Sequence, residues 1–373
     1  MKTEQVAALT TDGVVALENA DIDALTTSQV RALTTSQVLQ GLSTSDVARL
    51  TTTQLAAMRG NQIAAMSTDQ IAKMTTDQVS HLTYDQVAAL TTSQVANMET
   101  ADIAKLSASQ AAALSTAQMQ AITTTQIDKL DTSVVAGLTS TQLAALSTSQ
   151  VAKFSTGQIG ALTTALVRDL STDQVANLTT DQLRALDTTQ VQALETADLA
   201  VLSSTKVNAL STGQIGALTT AQIQALKPSQ IAALSTRGIS VLDEDQIGAL
   251  SSTQLMALKD TQIVALTSDQ FNYLSTEQLA SLTTRQISVI QTQDIAALDT
   301  SLIEGMSSSQ IAALTTAQIR ALGTDQIAAI ELGSDVAALT TTQIAALSTK
   351  QIQALTTDQM VSLIDSQIAA MGR

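Results

Sequence analysis

Side chains that could do chemistry are few in this sequence. His81 is its one histidine, and there is no cysteine. A lone imidazole cannot build a histidine metal cluster, and dozens of equivalent hydroxyls leave no serine or threonine marked out as a nucleophile beside a base. His81 is therefore expected on a solvated surface. Asp243-Glu244-Asp245 is the densest acidic cluster. It lacks the ligand spacing and turn glycine of a calcium loop, and reads better as a helix cap followed by a charged first turn. Gly157-Gln158-Ile159-Gly160 and Gly213-Gln214-Ile215-Gly216 resemble phosphate loops only in their glycines, since the preceding strand and the lysine are missing. Tyr84, Phe154, Phe271 and Tyr273 are too few to form a stacking platform, and the two phenylalanines fall at core positions. No catalytic, cofactor-binding or metal-binding residues are expected, and the chain reads as a non-enzyme.

Composition narrows the classes further. The net charge of −15 comes from 33 acidic against 18 basic residues spread along 373, which disfavours binding to nucleic-acid phosphates. Aromatic residues make up 1% and hydrophobic residues 45%, so a core must be built from Leu, Ile, Val, Met and Ala. No apolar stretch approaches the ~18 residues of a membrane helix, and the N-terminus has no apolar segment of signal-peptide length. Without cysteine, redox logic does not fix a compartment.

What the sequence does carry is a repeat. A large apolar residue recurs from Leu9 to Met371 in 43 intervals of eight residues and two of nine. Taking it as position one, position six is apolar throughout, positions two and three are mostly Thr or Ser, position five is mostly Gln and position eight mostly Ala. The consensus is Leu-Thr-Thr-x-Gln-Ile-x-Ala. The two longer intervals contain Leu39-Gln40-Gly41 and Glu331-Leu332-Gly333, read here as kinks or cap boundaries in a single domain spanning 1–373.

An eight-residue period suits neither a continuous helix nor a strand. At 100° per residue the apolar stripe of one helix would drift by about 80° each repeat, and in a strand positions one and six would face opposite sides. One short helix per repeat fits. Thr or Ser at position two with Gln three residues later is the capping-box pattern, and the apolar residues at positions one and six are the two halves of a hydrophobic staple. Asp131, Asp187, Asp243, Asp299 and Gly323 at position two are acceptable caps. Pro228, the one proline, falls at the first helical position, where it is tolerated best. Arg59, Lys227 and Lys259 at the cap position have no explanation at this level.

Helices of about six residues cannot stand alone in water, so stability must come from stacking. The fold expected is an all-α solenoid of capped helices, one per repeat. Position seven alternates between longer or polar residues (Gln192, Asn208, Gln224) and small ones (Ala200, Gly216, Ala232), which points to two repeats per turn. His81, Lys105, Lys129, Lys153 and Asn177, recurring every third repeat, point instead to three. Ser-Thr-Gly-Gln-Ile-Gly-Ala-Leu-Thr-Thr-Ala occurs at 155–165 and again at 211–221, a seven-repeat echo. Two per turn would give a rod of roughly 200 Å and three per turn one of roughly 140 Å.

Units such as Leu82-Thr83-Tyr84-Asp85-Gln86-Val87-Ala88-Ala89 resemble octapeptide-repeat tracts of very large bacterial surface or secreted proteins of the adhesin type. The resemblance implies an extracellular or cell-surface role as a rod-like spacer, filament or adhesin segment, possible self-association into filaments, and no cofactor. The N-terminus leaves a cytoplasmic location as the alternative. The alternative function is a binding module whose periodic Thr/Ser/Gln face meets a polysaccharide, ice or a partner protein.

Overall fold

The computed structural model describes residues 1–330 and 334–371. Among these there is no strand, and each repeat forms one helix of four to seven residues. The chain divides into two compact units, Met1–Ala193 and Leu194–Arg373. Each is a solenoid of the same construction.

The repeat centred on Tyr84–Ala89 illustrates the local logic. Thr83 at position two is extended (φ −72°, ψ 162°), and its hydroxyl accepts the N–H of Gln86. Gln86 returns the bond by accepting the Thr83 N–H at 3.0 Å. The helix runs from position three to position eight, six residues, because Leu90 at position one is already extended (φ −58°, ψ 140°). Two extended residues per repeat turn the chain, and the staple residues around them, Leu90 and Val95, are buried. Pro228 begins its helix at the first helical position, where its missing N–H has no intrahelical partner to lose.

Helices that pack together lie three apart in sequence. Gly60–Ala65 packs on Tyr84–Ala89, and Ser252–Met256 on Thr276–Ser281. The glutamines reach further, bonding carbonyls 28 and 31 residues back. A turn therefore holds between three and four repeats, about three and a half if 28 residues are one turn of eight-residue units. Of the two expectations, the three-repeat rhythm is the nearer, and the alternation at position seven does not mark two-helix turns. The physical reason is the reach of the glutamine, whose Nε2 meets carbonyls three to four repeats back, which a two-repeat turn would not bring alongside it. The 56-residue echo equals twice the 28-residue spacing.

The first nine-residue interval is absorbed neither by a kink nor by a cap. Gln37–Gly41 forms a π-turn, closed by the Leu42 N–H on the Gln37 carbonyl at 3.0 Å. The extra residue widens the helix and leaves Val38 and Leu42 in the core. A Cβ on Gly41 would stand 2.7 Å from Cβ of Val14, so the widened turn requires glycine. The second interval, 331–333, lies outside the described residues. Its flanks stay in register: Gln359 bonds Ile327 and Ile330 at separations of 32 and 29, one more than usual.

Candidate functional site

The residues that sequence alone singled out for chemistry are not brought together. His81 is exposed; its Nδ1 lies 2.7 Å from the Asp77 carbonyl and 3.5 Å from the Asp77 carboxylate. With Tyr84, Ser107 and Ser109 it lines a shallow groove of about 190 Å³. Asp243 caps its helix by accepting the Gln246 N–H at 2.9 Å, and Glu244 and Asp245 occupy the first turn. Both Gly-Gln-Ile-Gly segments lie inside helices. Phe154 and Phe271 are buried in the core, Tyr84 is exposed and Tyr273 half-buried. Among the described residues no three His, Cys, Asp or Glu side chains converge as a metal would need, and no helix is long and apolar enough to cross a membrane.

The dominant side-chain chemistry is instead a ladder of buried amides. Gln158 makes four bonds. Its Oε1 accepts the Ser155 N–H (2.7 Å), its backbone N–H goes to Ser155 Oγ (3.2 Å), and its Nε2 donates to the carbonyls of Ile127 (3.1 Å) and Leu130 (2.7 Å) in the preceding coil. Gln254 does the same in the other unit with Ser251, Ile223 and Leu226. The first carbonyl already accepts a backbone N–H (Leu130 to Ile127, 3.4 Å; Leu226 to Ile223, 3.2 Å) and takes the amide as a second donor, while the second lies just past the helix end, where carbonyls have no intrahelical partner. One side chain thus caps the start of its own helix and the end of another.

This explains the basic residues at the cap position. Arg59, Lys227 and Lys259 have no acceptor to offer, yet their N–H groups are taken by Gln62 (2.7 Å), Gln230 (2.6 Å) and Gln262 (2.9 Å). Each of those glutamines keeps its bonds to the earlier coil, as Gln230 does to Leu199 and Leu202. Half of the capping box is lost and the ladder is intact.

The ladder was missed because the capping box already accounts for Gln. A signal was present nonetheless. A capping box accepts Glu as readily as Gln, and the helix dipole favours the charged residue, yet no glutamate stands at position five in any repeat. The absence of glutamate points to a donor at this position, although the shorter aspartate is admitted at Asp21, Asp46, Asp102, Asp198 and Asp294.

Where position five is not Gln, the ladder is interrupted. Asp102, Val134 and Leu166 stand four repeats apart in one unit, all buried. Their helices form regardless: Asp131 caps through the backbone N–H and hydroxyl of Ser133 (2.8 and 2.6 Å), and Thr163 accepts the Leu166 N–H at 3.2 Å. The Ser133 hydroxyl, then its N–H, hold the Asp131 carboxyl below the usual aspartate range. Thr189 and Gln190 do the same for Asp187.

Outer surfaces carry scattered coil-to-coil links: Arg49 pairs with Asp23, Arg285 with Asp260, and Asn272 donates to the Ala297 carbonyl at 2.9 Å. These exposed pairs contribute little individually.

Comparison with known proteins bears on the repeat alone. No curated protein matches the chain. A crystal structure of the leucine-rich repeat-containing protein LegL7 from Legionella pneumophila is 12% identical, covers 62% of this chain and 84% of that one, and has a TM-score of 0.20, too low to support any argument. The model of the ALTTAQ repeat matches in overlapping segments from 14–52 and 39–76 through 287–324, 311–335 and 327–365. The capped helices, most of them closing with a glutamine on the coil before, are the folded form of that repeat, and the chain belongs to the ALTTAQ repeat family.

Proposed function

We propose that the chain is a non-enzymatic structural segment, a spacer of the kind carried by large secreted or surface proteins of the adhesin type. The observation that carries this reading is where the repeated polar groups are spent. The hydroxyl at position two accepts a helix N–H, and the amide at position five is buried in bonds to its own cap and to the preceding coil. Side chains repeated that often and used up internally serve construction. The periodic face considered above loses its glutamines on the same ground, since they are buried rather than displayed.

The stacking pattern also has a direction. Wherever position five is glutamine, the coil presents amides toward the coil before it and carbonyls toward the coil after it. That polarity suits head-to-tail association of copies as the route to filaments, although Gly13 and Asp21 at position five give the first coil fewer amides.

Small-angle scattering and electron microscopy of the purified chain test the reading. The expected result is a radius of gyration well above the ~21 Å of a globule of this length, with single rods or fibres in the micrographs. A compact particle would overturn it. Retention of the protein on ice or an insoluble polysaccharide, abolished by substituting exposed position-three threonines, would replace it with the binding reading.

A further inference from the structure

Asp102 is the polar side chain that fits the ladder least well. It stands at position five, is 2% exposed, and its Oδ2 is buried without a hydrogen-bond partner. A glutamine there would direct its Nε2 to the carbonyls 31 and 28 residues back, as Gln94 does to Ile63 and Met66 and Gln110 to Val79 and Leu82. For residue 102 those carbonyls are Ile71 and Met74. An ionised carboxylate has nothing to donate and would set negative charge opposite two oxygen dipoles. A neutral carboxylic acid has one O–H, the kind of donor every glutamine in this place supplies.

We propose that Asp102 is a proton-binding site of the stack: its neutral acid stands in for the missing ladder amide, and its ionisation loosens the coil on which its helix rests.

Of the charges around it, that of Glu99 acts in the same direction. The helix Thr100–Ile103 packs on Thr76–Ser80 and Thr124–Ile127. The first brings Asp77, with His81 just after it on the exposed surface; the second is followed by Asp128 and Lys129, which pair with each other. On its own strand of chain Asp102 has Glu99 at the cap and Lys105 beyond the helix. Burial first, and the Glu99 charge second, raise the Asp102 carboxyl to about 6. A group raised on folding adds stability that is complete below its unfolded value of ~4 and is lost as pH rises through the folded value. Asp294 offers a contrast at the same position. It too has a buried Oδ2 without a partner, but its Oδ1 accepts the Ser268 hydroxyl at 2.7 Å.

The test uses the full chain, with D102Q and D102N beside the wild type. In a carbon-detected NMR titration the Asp102 carboxyl should titrate with a midpoint of about 6, well separated from the other aspartates. In urea unfolding, the wild-type midpoint should fall relative to D102Q between pH 4.5 and 7.5, while D102Q follows only the background set by the remaining groups, His81 included. An Asp102 resonance that titrates among the ordinary carboxylates overturns the proposal, as does a pH profile shared by wild type and D102Q. Should neither variant fold, the wild-type titration alone decides.

Discussion

Two stretches of the chain differ at position five of the repeat. From Gln246 through Gln286 every position five is glutamine, and each bonds the preceding coil, as Gln270 does to Ile239 and Leu242. In the other unit Asp102, Val134 and Leu166 follow one another four repeats apart, and no amide stands in register to reach the carbonyls of Ile103 and Leu106 or of Val135 and Leu138. Helices form in both places, and positions one and six are buried in both. Forming a helix is thus separable from fastening it to its neighbour. Capping and stapling do the first; the donor at position five does the second.

The comparison breaks most sharply if the ladder amide is given the wrong chemistry. Gln262→Glu keeps the acceptor for the Lys259 N–H but turns charge onto the carbonyls of Ile231 and Leu234, which Gln262 Nε2 now meets at 2.9 Å each. A loss of about 3–5 kcal/mol is expected in denaturant unfolding, since a buried charge is left unpaired. A loss no larger than that of Gln262→Ala would show that the donor is not what this position needs. Gln262→Leu, which copies the natural Leu166, should cost about 1–3 kcal/mol through the Leu234 carbonyl, which loses the amide, and the lost cap acceptor, while the Ile231 carbonyl keeps the Leu234 N–H at 3.1 Å. Hydrogen exchange should place that loss in the coils containing residues 231–234 and 259–266.

The reverse exchange sharpens the picture. Leu166→Gln supplies the side-chain amide missing opposite Leu138 and Val135, the latter holding only the Leu138 N–H at 3.3 Å, and should stabilise by about 1 kcal/mol, read as a higher urea midpoint. No gain would mean that the unit has relaxed around leucine. Cap removal should ignore the difference between the stretches: Ser251→Ala and Thr163→Ala should each cost about 1 kcal/mol, because each hydroxyl accepts a helix N–H, from Gln254 and from Leu166. Unequal costs would couple cap and ladder. The smallest effect concerns Asp131, whose hydrogen bonds lower its carboxyl. A group lowered on folding adds stability above its unfolded value and loses it as pH falls through the folded one. Asp131→Asn should therefore flatten the acid limb of the stability profile below about pH 4, opposite in sign to Asp102.

Much of this was readable from local pattern. Thr or Ser followed three residues on by Gln, with apolar residues on either side, established one capped helix per repeat, and Pro228 fell where that reading placed it. The core was equally plain, from Val6 to Leu363. The glutamine's second task was not, because a capping box already gave a sufficient reason for glutamine; only the exclusion of glutamate spoke for a donor. The π-turn at Gln37–Gly41 was also out of reach, since an added residue and a glycine fit a kink as well as a widened helix.

By itself the sequence determined where each helix starts and stops and which side chains leave water, because those depend on bonds between residues three or four apart. Which coil each helix meets was decided only in three dimensions. The turn angle accumulates over three or four repeats, and the amide that fastens it spans 28 to 31 residues, a distance over which an eight-residue pattern looks the same at every step.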